Sequence, residues 1–308
     1  MFAEGVMDNA RLIADIAKLK KDRNAVILVH NYQLPEVQDI GDILGDSLGL
    51  SREAAKTKAD VVLFCGVHFM AETAAILCPE KKILIPDASS GCPMADMITA
   101  EQLRAFKKEN PGAPVVTYVN SSAEVKAESD YCCTSANSVQ VVNSVKEDKV
   151  LFVPDKYLGA YTAKKTGKKL ILWDGYCPTH AKILPEHITA KKKEYPGALV
   201  MAHPECRQEV CALADVVCST EGFITYSRKA KATDIIIATE IGMLYRLRKL
   251  VPGKNFIAAS ETALCPNMKK NTLEKVLWAL QDMNTEVKVP EAIRVKAKRA
   301  IDRMLAAG

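Results

Sequence analysis

The chain has 308 residues, of which 48% are hydrophobic and 26% are charged, and these proportions are ordinary for a globular protein. Its length favours two or three domains and allows a sizeable buried core. The formal net charge is only +5, and no basic tract is interleaved with aromatic residues, so we expect no nucleic-acid partner.

The N-terminal segment, residues 1–24, contains a Lys-rich amphipathic stretch that predicts a helix. It lacks the basic start, the apolar run and the small-residue cleavage site of a signal peptide. No apolar run in the chain approaches the roughly 18 residues that are needed to span a bilayer. We therefore expect a cytoplasmic protein without a membrane partner.

Beyond this helix, apolar runs of strand length alternate with helical stretches. They lie at 26–29, 61–64 and 83–85, at 115–119, 150–153 and 170–172, and at 199–202, 235–238 and 256–258. Continuous apolar strands that alternate with helices are typical of parallel sheets covered on both faces. Towards the C-terminus, one helix is predicted to open at 271–274 and run through Leu280. A short strand at 286–289 and a last helix from Glu291 to about Leu305 follow.

The three groups of runs belong to an internal repeat. Residues 107–113 match residues 192–198 without gaps at an offset of 85, and the first third of the chain follows the same plan at an offset of 88. This predicts an α/β fold of three repeated three-layer α/β/α units with parallel sheets, related by a pseudo-threefold axis with the active site at the centre. The predicted segments are an N-terminal helix at 1–24, repeats at 25–109, 110–194 and 195–284, and a C-terminal strand and helix at 285–308.

Four sets of polar or reactive residues fall in register across the repeats. Ligands of parallel α/β sheets bind beyond the carboxyl ends of strands, and free N–H groups at helix starts attract anions, so we expect these residues to converge on one site. The sets are His30, Tyr118 and His203; Tyr32, Asn120 and Glu205; Ser47, Ser135 and Thr220; and Cys92, Cys177 and Cys265.

The cysteine set carries the most information, because each of its members precedes a proline. A single Cys is usually a packing residue, a single Ser or Thr is usually a helix cap, and a single His is often structural. Divergence of a plain scaffold, however, has little reason to keep Cys at one loop position three times. We therefore expect the three thiols to share one ligand.

Three thiols without a clear fourth ligand favour a metal site with an open position. Structural zinc sites take four protein ligands, whereas a [4Fe-4S] cluster on three Cys leaves one iron free to act as a Lewis acid. The residues alone thus predict a cluster-dependent dehydration or condensation of a small, multiply anionic substrate. We interpret the other cysteines as packing residues, with a redox switch between Cys206 and Cys211 as an alternative. The packing set is Cys65, Cys78, Cys132, Cys211 and Cys218.

Local motifs along nearly the whole chain resemble those of the quinolinate synthase family. They are His30-Asn31-Tyr32-Gln33, Gly45-Asp46-Ser47, Cys92-Pro93-Met94-Ala95, Tyr118-Val119-Asn120-Ser121, Cys133-Thr134-Ser135-Ala136-Asn137, His203-Pro204-Glu205-Cys206, Thr239-Glu240-Ile241-Gly242-Met243 and Asn267-Met268-Lys269-Lys270-Asn271-Thr272. The resemblance implies an enzyme that condenses iminoaspartate with dihydroxyacetone phosphate to quinolinate, releasing phosphate and two waters, for NAD biosynthesis. It also implies a functional link to an aspartate oxidase or dehydrogenase, which would supply iminoaspartate.

The resemblance further implies roles for single residues. Its [4Fe-4S] ligands match Cys92, Cys177 and Cys265, the same three that the repeat selects. Catalytic roles fall on Glu205, Tyr118, His203 and His180, with Glu205 as an acid/base and His180 near the cluster. Substrate-binding roles fall on His30, Tyr32, Ser47, Tyr118, Asn120, Ser135, His203, Glu205, Ser219 and Thr220.

One position departs from the family pattern. After Ser219-Thr220 the family usually carries small residues, but here Glu221-Gly222 follows. A carboxylate beside an anion site opposes binding unless it points away.

Two alternative functions stay open for the chain. They are a cluster-dependent hydro-lyase acting on another small carboxylate, and a non-catalytic metal- or solute-binding protein that holds zinc.

Overall fold

The computed structural model describes residues 8–307 and contains three four-stranded sheets, each with only parallel neighbours. In every sheet the second strand lies at one edge, followed by the first, the third and the fourth. This confirms the predicted α/β fold with three repeated parallel-sheet units. The strands are β1 Ala25–His30, β2 Ile43–Gly45, β3 Val61–Cys65 and β4 Lys82–Leu84; β5 Val115–Tyr118, β6 Tyr131–Cys133, β7 Lys149–Val153 and β8 Lys169–Leu172; and β9 Leu199–Ala202, β10 Val216–Val217, β11 Asp234–Ala238 and β12 Asn255–Ala258.

Helices connect consecutive strands in the same order within each unit. In the first unit they are α2 Pro35–Asp39, α3 Ser47–Lys56, α4 His68–Leu77 and α5 Ala100–Glu109. In the second they are α6 Ala123–Ala127, α7 Ser138–Ser144, α8 Lys156–Thr166, α9 Pro178–Ala181 and α10 Pro185–Glu194. In the third they are α11 Gln208–Leu213, α12 Thr220–Lys229, α13 Met243–Leu250 and α14 Leu273–Asp282. Short 3₁₀ turns lie at Ala95–Met97 and Met268–Lys270.

The edge strands β2, β6 and β10 were not predicted, because they are only two or three residues long and give no apolar run. A repeated aspartate precedes each of them and accepts a hydrogen bond from a backbone N–H of the neighbouring first strand. These pairs are Asp42 with Ile27 at 2.9 Å, Asp130 with Val115 at 2.8 Å, and Asp215 with Val200 at 2.8 Å. The carboxylates therefore fix the same turn onto the sheet in all three units.

The Pro-Gly pairs that separate the repeats form turns. Gly112 and Gly197 have φ angles of 77° and 88°, in a region that residues with a side chain rarely adopt. Each turn lies between the end of a helix, α5 or α10, and the first strand of the next unit, β5 or β9.

Two terminal helices cover the outside of the units. Helix α1, Asn9–Asp22, buries Leu12 and Ile16 and packs beside α14. Helix α15, Glu291–Ala307, lies against α4, α6 and α7 and buries its apolar face. The residues of that face are Ala297, Ala300, Ile301 and Met304. None of the helices in the described part of the chain is long and apolar enough to cross a membrane.

The segment before α15 differs from the expected strand. Residues 286–289 contribute one isolated antiparallel bridge, between Glu286 and Leu84, because the chain turns into Pro290 and α15 before a ladder can extend. At the other end, residues 1–7 of the predicted N-terminal segment lie outside the described residues. The segment boundaries and the pseudo-threefold axis stay predictions.

Candidate functional site

One cavity of about 70 Å³ is lined by residues of all three units. It contains the polar and thiol positions that the repeat placed in register, together with His180. Those residues are His30, Tyr32, Ser47, Cys92, Tyr118, Asn120, Ser135, Cys177, His180, His203, Glu205, Thr220 and Cys265. The cavity is therefore where the equivalent loops of the three units meet.

The three Cys-Pro cysteines follow the last strand of each unit and precede a helical turn, so backbone N–H groups point back towards each sulfur. These donors are Met94 and Ala95 for Cys92, His180 for Cys177, and Asn267 and Met268 for Cys265. Burial raises the pKa of all three thiols, that of Cys92 to about 12, whereas the N–H groups lower it. Each loop thus offers its sulfur the hydrogen bonds that a thiolate accepts.

Glu205 lies at the centre of the hydrogen bonds in the cavity. Its Oε1 accepts a hydrogen bond from the Tyr118 hydroxyl at 2.5 Å, and its Oε2 lies 2.7 Å from His180 Nδ1 and 3.8 Å from His203 Nδ1. Burial raises the pKa of the Glu205 carboxyl, but the adjacent His180 and the hydrogen bonds from His180 and Tyr118 lower it below its usual range. The ionised carboxylate is therefore the stable form.

His30 and His203 end equivalent strands and have the same local geometry. The backbone N–H of Tyr32 donates to His30 Nδ1 at 3.2 Å, and that of Glu205 donates to His203 Nδ1 at 3.4 Å. Burial, the largest influence, lowers the pKa of both imidazoles to about 3. In the neutral ring Nδ1 is thus an acceptor and Nε2 carries the proton. His203 Nε2 lies 3.1 Å from the hydroxyl of Ser135.

A second chain of hydrogen bonds runs from His180 to Tyr32. His180 Nε2 lies 2.9 Å from Thr239 Oγ1, which lies 2.6 Å from the Tyr32 hydroxyl. Burial and the charge of Glu205 raise the pKa of Tyr32 and of Tyr118 well above the usual range of tyrosine. Both phenols therefore keep their protons and act as hydrogen-bond donors.

Ser219, which the family resemblance names as a substrate-binding residue, lies apart from the hydroxyls of the repeat. Ser47 and Thr220 are the first residues of α3 and α12 and line the cavity. Ser219 does not line it, because it is the N-cap of α12 and its hydroxyl accepts the N–H of Gly222 at 3.4 Å. Asn120 contributes a buried Oδ1 that has no hydrogen-bond partner among the described residues, and such an orphaned acceptor suits a polar ligand.

Sequence reasoning missed a carboxylate at the end of the third strand in two units. Glu240 accepts the backbone N–H of Cys265 at 3.0 Å, forms a 2.9 Å ion pair with Lys269, and lines the cavity. Its equivalent, 85 residues earlier, is Asp155. Burial and then Glu205 raise the pKa of Asp155 well above its usual range, while backbone N–H groups, including that of Cys177, lower it. The step of 85 residues was a signal that could have identified this pair.

The carboxylate of Glu221, which departs from the family pattern, is directed away from the cavity. Its Oε1 accepts hydrogen bonds from Asn31 Nδ2 at 3.2 Å and from Arg246 Nη2 at 3.4 Å. The same Asn31 nitrogen donates to Thr220 Oγ1 at 2.7 Å. Glu221 therefore joins a polar seam between the first and third units instead of opposing an anion in the cavity.

The cysteines outside the set of three are free thiols packed in the fold. The Cys78 thiol donates to Ala54 O at 3.2 Å, and the Cys206 thiol donates to Ala238 O at 3.3 Å. Burial raises the pKa of Cys206 well above its usual range and that of Cys211 to about 12. Reactive cysteines have low pKa values, so this environment does not favour the redox alternative.

The chain has three α/β sheets, and its cavity combines thiols, imidazoles and a buried carboxylate. These are the chemical groups of an enzyme active site. Residues 14–306 match the family described as quinolinate synthetase A protein. A quinolinate synthase of Dehalococcoides mccartyi is 61% identical over 290 residues, which cover 94% of this chain and 96% of the relative. Relatives from Geobacter sp. (quinolinate synthase) and Methanosarcina acetivorans (quinolinate synthase 1) are 57% and 55% identical over 300 residues, covering 97% of this chain and 99% of each relative. The chain belongs to the quinolinate synthase family, whose members are enzymes of the condensing, transferase type.

Proposed function

We propose that this enzyme condenses iminoaspartate with dihydroxyacetone phosphate to quinolinate, with release of phosphate and two waters, and that it serves NAD biosynthesis in the cytoplasm. The observation that carries the proposal is that Cys92, Cys177 and Cys265 line one cavity together with the buried carboxylate of Glu205. An aspartate oxidase or dehydrogenase supplies iminoaspartate in this proposal. Ten free thiols suit a reducing compartment.

The donor set fits an iron–sulfur cluster. Burial keeps the thiols neutral in the absence of a cation, and a cationic cluster would hold them as thiolates. N–H groups directed at cluster sulfurs are a recognised feature of such sites. Cys92, Cys177 and Cys265 would hold a [4Fe-4S] cluster, which supplies a Lewis-acidic iron for the dehydration when it is bound.

The cavity offers donors for the carboxylates and the phosphate of the substrates. His30 carries its proton on Nε2, as its contact with the Tyr32 N–H requires, so this nitrogen can donate to a carboxylate. Ser47 and Thr220 stand at the starts of α3 and α12, where free backbone N–H groups favour negative charge. These groups bind and orient the substrates in our proposal.

Proton transfers fall to the groups around Glu205. Joining the two substrates, isomerising the product, closing the ring and losing water each move protons. The Glu205 carboxylate can accept a proton, the protonated Tyr118 hydroxyl at 2.5 Å can return one, and His180 links the carboxylate to Thr239 and Tyr32. Short, continuous hydrogen bonds of this kind suit general acid–base catalysis.

The test is anaerobic purification followed by iron and sulfide analysis, an electron paramagnetic spectrum, and an assay with freshly made iminoaspartate and dihydroxyacetone phosphate. We expect four irons and four sulfides per chain and the appearance of quinolinate by mass. Cys265→Ser should lose the cluster, whereas Cys78→Ser, a change at a packed thiol of the first unit, should keep it.

The opposite results separate the alternatives. An intact cluster without quinolinate would point to a hydro-lyase acting on another carboxylate, and would overturn the proposed substrates. Quinolinate formation by Cys265→Ser protein that contains no iron would overturn the role of the cluster.

A further inference from the structure

The cavity contains a second group of possible metal ligands, which includes one of the three cysteines. The ligand atoms of Cys177, His180 and Glu205 all lie within 4.8 Å of one another. His180 Nδ1 lies 3.2 Å from Cys177 Sγ and 2.7 Å from Glu205 Oε2. Thiolate, imidazole and carboxylate are the three protein ligands that zinc takes.

Local structure brings these three groups together. Cys177 is the N-cap of α9, and His180 lies three residues further on in the same helical turn, so one turn presents both the sulfur and the nitrogen. Glu205 comes from the loop between β9 and α11 and faces them. The side chains of His180 and Glu205 are only 1% and 5% exposed, so an ion bound there would be shielded from water on most sides.

Hydrogen bonds from neighbouring residues already orient two of the ligands. His180 Nε2 contacts Thr239 Oγ1 at 2.9 Å, and the Tyr118 hydroxyl donates to Glu205 Oε1 at 2.5 Å. Metal-ligating histidines and carboxylates characteristically make such outer hydrogen bonds, which fix the ring and the tautomer. The contact with Glu205 Oε2 places the His180 proton on Nδ1 in the metal-free chain. When that proton moves to Nε2, where Thr239 Oγ1 can accept it, Nδ1 becomes free to bind a metal.

We propose that the chain, when it lacks the cluster, binds a single divalent ion such as Zn²⁺ through Cys177 Sγ, His180 Nδ1 and Glu205 Oε2, with one position open to water. Tetrahedral zinc places such ligand atoms roughly 3.4–3.6 Å apart. The two contacts of His180 Nδ1, at 3.2 Å and 2.7 Å, would each lengthen by less than about 1 Å, and Cys177 Sγ and Glu205 already lie within 4.8 Å of each other. The Cys177 thiol proton leaves to solvent on binding. Because Cys177 belongs to both sets, the single ion and the cluster exclude each other.

Cobalt titration tests this site without any assay of turnover. Co²⁺ is added to the reduced, cluster-free, full-length chain, and thiolate-to-cobalt absorption is followed together with metal analysis. We expect one ion per chain, displaced by Zn²⁺. His180→Ala should weaken binding at least 100-fold. Thr239→Val removes no ligand but takes away the hydrogen bonds to His180 Nε2 and to the Tyr32 hydroxyl, and it should weaken binding about 10- to 100-fold.

The matched controls are Cys92 and Cys265, the two proposed cluster ligands that do not bind the single ion. Cys92→Ser and Cys265→Ser should bind Co²⁺ within about twofold of the unchanged chain, since neither sulfur is a ligand of the single ion. If either change abolishes the thiolate absorption, the ion sits among the three cysteines and the proposal is wrong. Thermal unfolding of each variant shows whether a loss of cobalt absorption reflects a loss of folding. If His180→Ala does not fold, the weaker binding expected of Thr239→Val tests the proposal instead.

Competition with cluster assembly gives an independent readout. Chain preloaded with one Zn²⁺ should incorporate iron and sulfide several-fold more slowly than metal-free chain, and His180→Ala should abolish the difference. Equal rates for preloaded and metal-free chain would contradict the shared use of Cys177. These outcomes concern metal content alone, so they are distinguishable from a failure of the proposed reaction.

Discussion

Glu240 and Lys269 form a buried ion pair in which Oε1 and Nζ are 2.9 Å apart. The Glu240 side chain is fully buried, and the same Oε1 accepts the backbone N–H of Cys265. Lys269 in turn donates to the backbone carbonyl of Tyr32. One pair therefore ties the third cysteine loop to the loop that carries His30 and Tyr32.

Removing the carboxylate should destabilise the fold. Glu240→Ala leaves the Lys269 ammonium without its partner, and breaking a buried pair costs about 3 kcal/mol or more. Denaturant unfolding of the cluster-free chain measures this loss. Glu240→Gln combined with Lys269→Met removes both charges and should recover part of the stability. A loss below about 1 kcal/mol for Glu240→Ala would contradict the importance of the pair.

Glu205→Gln should separate catalysis from cluster binding. The amide keeps the size of the side chain but cannot accept a proton, so we expect turnover to fall about 10²- to 10⁴-fold with unchanged iron content. Glu209→Gln is the matched control, because Glu209 is exposed on the adjacent helix α11. Full turnover by Glu205→Gln with an intact cluster would exclude Glu205 from proton transfer.

Glu221→Ala should have little effect. The Glu221 side chain is 42% exposed, and exposed ion pairs contribute at most about 1 kcal/mol. Because its carboxylate faces Arg246 and Asn31, its loss should change KM less than about threefold. Steady-state kinetics and denaturant unfolding provide the measurements. A tenfold fall in KM would show that the carboxylate opposes substrate after all.

The ionisation of Asp87 should make the stability of the fold depend on pH in the acid range. Burial raises its pKa, but hydrogen bonds from Lys275 and from the hydroxyl and N–H of Ser89 lower it to about 2. A carboxyl whose pKa is lower folded than unfolded, about 3.9, stabilises the fold above about pH 4, and this contribution disappears as the pH falls towards 2. The unfolding midpoint of Asp87→Asn should therefore lie below that of the unchanged chain at pH 7, with a gap that closes in acid.

The exposed Asp282 on helix α14 provides the comparison for this titration. Asp282→Asn removes a surface carboxylate, and the gap for Asp87→Asn is measured against it at each pH. A gap for Asp87→Asn that stays constant down to pH 2 would show that the Lys275 contact does not depend on the charge of Asp87.

Much of the fold could be predicted because the chain repeats its apolar runs and its Cys-Pro loops at fixed steps. The first, third and fourth strands of each unit follow directly from that pattern, whereas helices α14 and α15 were predicted from their own local sequence signals. Strands β2, β6 and β10 could not, since two or three residues carry no periodicity, and their position depends on the aspartate contacts with the neighbouring strand.

The residues of the site could be predicted only in part. Residues in register, such as His30 and His203, were named because each unit supplies a counterpart. Glu240 was missed because the first unit has Val67 at the equivalent position, and its role rests on an ion pair to Lys269 and a contact with Cys265 that only folding reveals. Ser219 caps α12 and does not line the cavity, so its substrate-binding role stays a prediction.

The spacing of the thiols has a consequence for biosynthesis. One cysteine belongs to each unit, and Cys265 follows Cys177 by 88 residues. At roughly 5–20 residues per second, a ribosome needs about 4 to 18 seconds to pass from the second to the third. A nascent chain that stalls in between offers only two of these three sulfurs, so in our proposal the cluster can be loaded only after nearly complete translation.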